Sequence, residues 1–135
     1  MIHANIQLLN GDDVVFARRN VIGEDEIRQI EISMLVDSGA IMLTINEEIR
    51  KALGLEIIDY RPSQLAAWKS IELPVAGTLE VRYEGRFCTT NALVLPDDSE
   101  PLLGAIPMEE MDLWIHPARN MLTAVHPEGP VMSLK

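Results

Sequence analysis

The sequence predicts a mainly-β domain carrying two short helices. Short apolar stretches recur with period two, each bounded by Gly, Pro, Asn or Asp. Turn-forming pairs such as Asn10-Gly11 and Glu84-Gly85 fall between them. Only two segments, one ending at Gly54 and one starting at Pro107, carry helix signals. Many short strands with few helices fold as an all-β class domain. The chain has 135 residues, 47% hydrophobic and 24% charged, which fits one domain over residues 1–135 with a buried core.

Taken in order, Met1 to Leu9 alternates, with Ile2, Ala4, Ile6 and Leu8 on one face. Asn10-Gly11-Asp12-Asp13 then turns the chain, and Val14-Val15-Phe16-Ala17 resumes as the second strand of a hairpin. Asn20 to Glu26 is a polar second turn. From Ile27 a strand places Ile30, Ile32, Met34 and Val36 on one face and closes at Asp37. The clearest helix signal follows Ile41-Met42-Leu43. Thr44 and Glu47 fit a capping box, Ile45, Ile49, Ala52 and Leu53 recur at helical spacing, and Gly54 suits a left-handed cap.

Glu56 to Tyr60 and Ile71 to Val75 read as extended, joined by a tip carrying Leu65, Ala66, Ala67 and Trp68. Trp68 fits packing at a core edge and a projecting loop equally well. Leu79, Val81 and Tyr83 alternate with Glu80, Arg82 and Glu84 as a half-exposed strand. Glu84-Gly85 turns into Arg86 to Thr90, and Ala92 to Leu95 continues as strand. After the polar loop Pro96 to Pro101 comes a second apolar run, Leu102-Leu103-Gly104-Ala105-Ile106. Pro107 suits the first position of a short helix, with Glu109, Glu110 and Asp112 near its positive end. Leu113 to Ile115 and Met121 to Val125 form a last hairpin, and residues 126–135 read as a flexible tail.

Several functions are disfavoured. A net charge of −10 repels nucleic-acid phosphates. No apolar run reaches bilayer length, and the N-terminus lacks a secretion-signal pattern. The single Cys88 forms no internal disulfide, which fits the cytoplasm. His3, His116 and His126 have no ligand at metal spacing, and no Gly-rich phosphate loop is present, so no metal or cofactor is expected. Cys88 reads as a small interior apolar residue, and Ser38 has no local base. Asp12-Asp13 and Asp97-Asp98 read as solvated turns.

Met34-Leu35-Val36 runs into Asp37-Ser38-Gly39-Ala40, and Gly39 lets the backbone turn past the strand end. Alone, Asp-Ser-Gly fits a structural turn more readily than a catalytic carboxylate. Two stretches in order change that balance: Leu35-Val36-Asp37-Ser38-Gly39-Ala40 and Pro101-Leu102-Leu103-Gly104-Ala105-Ile106, with a hairpin between. From about Ile27 to about Leu122 the chain resembles the retropepsin-like aspartic proteases, in particular their bacterial single-domain members.

The resemblance implies a half-barrel with one lobe per chain, and an aspartic endopeptidase that hydrolyses peptide bonds without a cofactor. One carboxylate cannot be acid and base at once, so a homodimer would bring Asp37 beside its own copy. Two close carboxylates share one proton and titrate jointly. One takes a proton from water while the other polarises the scissile carbonyl. By position, Ser38 would brace the two loops across the dimer, Gly39 and Ala40 complete the loop, and Leu102, Leu103 and Gly104 support it. Leu65, Ala66, Ala67 and Trp68 would belong to a flap closing over an extended peptide or protein substrate. The chain departs from the family at Ser38, where Thr is commoner, at His116, where an acidic residue is frequent, and at the Gly-free flap tip. That tip keeps a second reading open, a peptide-binding or dimerising module with little turnover.

Overall fold

In the computed structural model, residues 1–66, 69–96 and 98–129 are described. The alternation at the N-terminus becomes β1 (Ile2–Asn10), which buries Ala4, Ile6 and Leu8. It pairs antiparallel with β2 (Gln29–Val36), whose Met34 and Val36 turn into the same interior. The other strands are β3 (Leu43–Asn46), β4 (Glu56–Ala66), β5 (Lys69–Tyr83), β6 (Arg86–Leu95) and β7 (Leu102–Leu103). They order as β1-β2-β7-β3-β6-β5-β4, and β1 also pairs with β5, so the sheet curls until it closes on itself. The enclosed core includes Ile6, Leu8, Met34, Leu43, Ile45, Leu79, Val81 and Leu103. Each such side chain contributes about 1.5–3 kcal/mol on burial. A separate hairpin, β8 (Leu113–His116) and β9 (Met121–Ala124), follows the sheet as expected. No helix among the described residues is long and apolar enough to cross a membrane.

Among the described residues there are three short α-helices, not two, besides a single 3-10 turn at Glu24–Glu26. Val14 to Ala17, expected as a strand, lies in α1 (Gly11–Arg18). The Asn10 side chain caps it by accepting from the Asp13 amide at 3.1 Å, and Asp12 and Asp13 sit at its positive end. Asn10 also donates to the Leu53 carbonyl at 2.8 Å, across the fold. Asp13 is therefore no solvated turn residue. It is buried and accepts from Arg28 Nε at 2.8 Å, Nη2 at 3.0 Å and the Arg28 backbone amide at 3.0 Å. The hydrogen-bonded guanidinium outweighs burial and holds the Asp13 carboxyl below its ordinary value.

The second helix, α2 (Glu47–Leu53), starts later than its capping box suggested. Asn46, not Thr44, is the N-cap, accepting from the Ile49 amide at 2.8 Å. Thr44 and Ile45 are drawn into β3 and buried beside β6. Gly54 ends the helix at φ +64°, as expected. The third, α3 (Ala105–Glu110), begins two residues before Pro107, so Glu109 and Glu110 fall in its last turn and not its first. The two stretches around Ile71–Val75 and Leu79–Tyr83 are one strand, β5, with a register shift between Ala76 and Leu79.

Candidate active site

β2 ends at Val36, and Asp37 follows with its amide donating to the Leu103 carbonyl at 3.0 Å. One step earlier, the Leu35 amide donates to the Pro101 carbonyl at 3.1 Å. β7 thus lies parallel to β2, with Val36 opposite Leu103, and on its other side Thr44 of β3 faces Leu102. The chain leaves β2 at Asp37, loops out and returns as β3, and the gap so opened is filled by β7. Within the loop the Gly39 amide donates to Asp37 Oδ1 at 2.9 Å, and the Ala40 amide to the Asp37 carbonyl at 3.1 Å. The carboxylate is therefore oriented by its own backbone. Asp37 is half-buried, and Ser38 and Gly39 are exposed.

The far end of the loop is held by the same downstream segment. Ala105 donates to the Ala40 carbonyl at 2.8 Å and Ile106 to the Ile41 carbonyl at 2.9 Å. Gly104 sits where a Cβ would lie 2.4 Å from the Met42 carbonyl oxygen and 2.9 Å from that of Ala40. Only a residue without a side chain permits this approach. The two stretches singled out in the sequence form one unit, a loop clamped at both ends by residues 101–106.

β4 and β5 project beyond the closed sheet. β5 pairs with β6 only from Val75 onward, so the segment pairing Asp59–Ala66 with Lys69–Val75 is a two-stranded arm. Leu65 and Ala66 belong to its β4 strand; Ala67 and Trp68 lie outside the described residues. The arm reaches the Asp37 loop through Arg61, whose Nη1 donates to Met42 Sδ at 3.5 Å.

No protein-family model matches the chain, and no curated protein matches it. Solved structures do. A retropepsin-like aspartic protease from Rickettsia conorii superposes with a TM-score of 0.55 at 20% identity, over 89% of this chain and 78% of that one. The retroviral protease-like domain of Ddi1 from Leishmania major superposes with a TM-score of 0.51 at 17% identity, over 71% and 80%. The fold is retropepsin-like.

Beside the retropepsin-like loop, Ser38 borders a shallow hollow of about 320 Å³ with Met108, Leu113, Trp114 and Ile115 among its walls. Ile41, Ile106 and Trp114 stay exposed on these same segments. A larger hollow of about 860 Å³ lies elsewhere, around Gln7, Glu31, Arg82 and Phe87, and contains no residue of the Asp37 loop. The smaller hollow adjoins the loop that carries the oriented carboxylate, through Ser38.

One cluster escaped the sequence reasoning. Asp112 Oδ2 lies 2.8 Å from His126 Nδ1 and accepts from the His126 amide at 3.0 Å. The nearly buried Arg86 donates to the Met111 carbonyl at 3.1 Å and also to that of His126. Burial raises the Asp112 carboxyl, but the hydrogen bonds from His126 and Arg86 prevail and hold it below its ordinary value. The partners are far apart in sequence, so no local signal could have found them. The cluster ties the turn after α3 to the start of β6 and to the segment beyond β9. His116 serves its own turn, its Nδ1 accepting from the Ala118 and Arg119 amides at 3.1 Å. Cys88 is buried, and burial, reinforced by Glu110 and Glu80, pushes its thiol up to about 12. Among the described residues, no group of His, Cys, Asp or Glu is arranged to hold a metal ion.

Proposed function

We propose that this chain is an aspartic endopeptidase acting on peptide or protein substrates as an isologous homodimer. The observation that carries the reading is the Asp37 carboxylate, oriented by the Gly39 amide on a loop clamped from Leu103 to Ile106. A single carboxylate per chain needs a copy of itself, and a two-fold axis at this loop supplies one. The exposed Ile41, Ile106 and Trp114 and the hollow beside Ser38 offer apolar surface to such a copy.

In the dimer the two Asp37 carboxyls hold one proton between them. The ionised one removes a proton from water as its oxygen attacks the scissile carbonyl, and the protonated one donates to the carbonyl oxygen. The paired loops are braced by Ser38, and Leu102, Leu103 and Gly104 keep them from spreading. The β4–β5 arm, together with the Leu65, Ala66, Ala67 and Trp68 stretch that the sequence assigns to the flap, covers the substrate and pairs with its extended backbone. The peptide-binding module with little turnover remains the second reading, favoured by the absence of Gly from Leu65 to Lys69.

The test is cleavage of a diverse peptide library at mildly acidic pH by wild type and Asp37→Asn, with sedimentation of both. Cleavage by the wild type alone supports the endopeptidase. A dimer that binds peptides but cuts none favours the binding module.

A further inference from the structure

We infer that Arg61 selects substrates bearing an acidic side chain on one flank of the scissile bond. The inference deepens the endopeptidase reading and rests on it for where the peptide lies. Of the guanidiniums that hold the fold together, Arg28 pairs with Asp13, Arg50 with Glu47, Arg82 with Glu80 and Arg86 with Asp112. Arg61 is different. Among the described residues no carboxylate lies within ion-pair distance of it, and its partner is the neutral thioether of Met42. A thioether is a weak acceptor, so four of the five guanidinium N–H groups of this exposed side chain face solvent and are open to a ligand.

Its position makes that spare charge useful. Met42 ends the loop that begins at Asp37, and Arg61 stands on the arm, so the guanidinium spans the gap between the two. An extended peptide crossing Asp37 beneath the arm passes beside it. Strand pairing sets the direction: Arg61 lies opposite Leu73, so the two side chains share one face of the arm, where Leu73 is buried while Arg61 stays exposed and reaches Met42. Glu72 and Pro62 face the other way. Asp59 shares that face but lies two residues off, about 7 Å along the strand, and its Oδ1 accepts from the Tyr60 amide at 2.8 Å.

The net charge of −10 opposes an acidic ligand at long range. At physiological salt that field fades over about 8 Å, whereas a carboxylate in contact with a guanidinium gains charge-assisted, often paired hydrogen bonds. Contact wins over the distant field at the point of selection.

The experiment uses peptide pairs identical except for Glu or Lys at each position flanking the scissile bond, at about 0.15 M salt and about pH 6, where Glu is ionised. Wild type is expected to favour Glu at one position by about fivefold in kcat/KM. Arg61→Met should erase that ratio and Arg61→Glu should reverse it. A ratio near one in the wild type, or one unchanged in Arg61→Glu, overturns the inference. The same peptides, labelled and titrated by fluorescence anisotropy against Asp37→Asn and Asp37→Asn/Arg61→Glu, separate the two readings. A charge preference in binding without any wild-type cleavage sinks the endopeptidase and keeps Arg61 as the selector. No charge preference in binding or cleavage sinks the Arg61 inference alone.

Discussion

Replacing Gly104 with Ala should remove about 3 kcal/mol of folding stability. The backbone there is extended, at φ −89° and ψ −176°, so an L-residue meets no conformational strain. By stiffening the unfolded chain, Ala would even add about 0.4–1 kcal/mol. The loss comes entirely from contact. The new methyl would lie 2.4 Å from the Met42 oxygen, 2.9 Å from the Met42 carbonyl carbon and 2.9 Å from the Ala40 oxygen, all of them backbone atoms. Overpacking of this kind costs about 1–3 kcal/mol. Relieving it means separating residue 104 from residues 40–42, which stretches the Ala105–Ala40 and Ile106–Ile41 hydrogen bonds, each worth about 1 kcal/mol. The net is about 3 kcal/mol. With a urea slope near 2 kcal/mol per molar, the midpoint should fall by about 1.5 M, followed by tryptophan fluorescence. Gly85→Ala is the control. It sits in a turn at φ +78° with nothing within 4 Å, so only the left-handed penalty of about 1–2 kcal/mol applies. A Gly104→Ala shift under about 0.5 M, or smaller than that of Gly85→Ala, would refute the clamp.

Two further predictions concern groups outside the loop. Asp13→Ala should cost about 2 kcal/mol, because it removes a buried acceptor of three hydrogen bonds. Since Arg28 lowers the folded-state carboxyl of Asp13 below 3.8, its contribution is complete above about pH 5 and fades as pH falls below about 4. The gap in urea midpoint between wild type and Asp13→Ala should therefore narrow on acidification; a constant gap from pH 6 to about 3 would count against the ion pair. Cys88, buried with its thiol near 12, should resist a disulfide reagent at about pH 8 until the chain is unfolded, and fast labelling of the native protein would contradict that burial.

What the sequence disclosed was local or repeated. The alternation of Ile30, Ile32, Met34 and Val36 gave β2. Glu84-Gly85 gave a turn that adopts positive φ at both residues, and Gly54 gave the left-handed cap. The stretches around Asp37 and Gly104 were legible because each ends an apolar run in Gly. What stayed hidden depends on distant partners. Val14-Val15-Phe16-Ala17 has strand-like residues, but its cap Asn10 is also tied to Leu53, 43 residues away, and its Asp13 to Arg28, 15 residues away. The Thr44 capping box was real as a pattern, yet burial of Thr44 and Ile45 beside β6 outweighed it and left the cap to Asn46. The Arg61–Met42 contact joins an arm to a loop, and no periodicity encodes it.

The insertion of β7 between β2 and β3 also decides which parts of the chain are open to attack by an added protease. A peptidase takes its substrate as a strand drawn free of its neighbours, so a segment is vulnerable only as far as it can be peeled away. Residues 37–42 are bonded at one end to Leu103 and at the other to Ala105 and Ile106, with β7 itself held on both sides. They can be peeled only if the sheet parts around them, an opening that approaches global unfolding. The arm pairing Asp59–Ala66 with Lys69–Val75 has no such guard, since its strands pair only with each other until the pairing of β5 with β6 starts at Val75. Under limited proteolysis the first cuts belong there, and the carboxylate loop outlasts the arm.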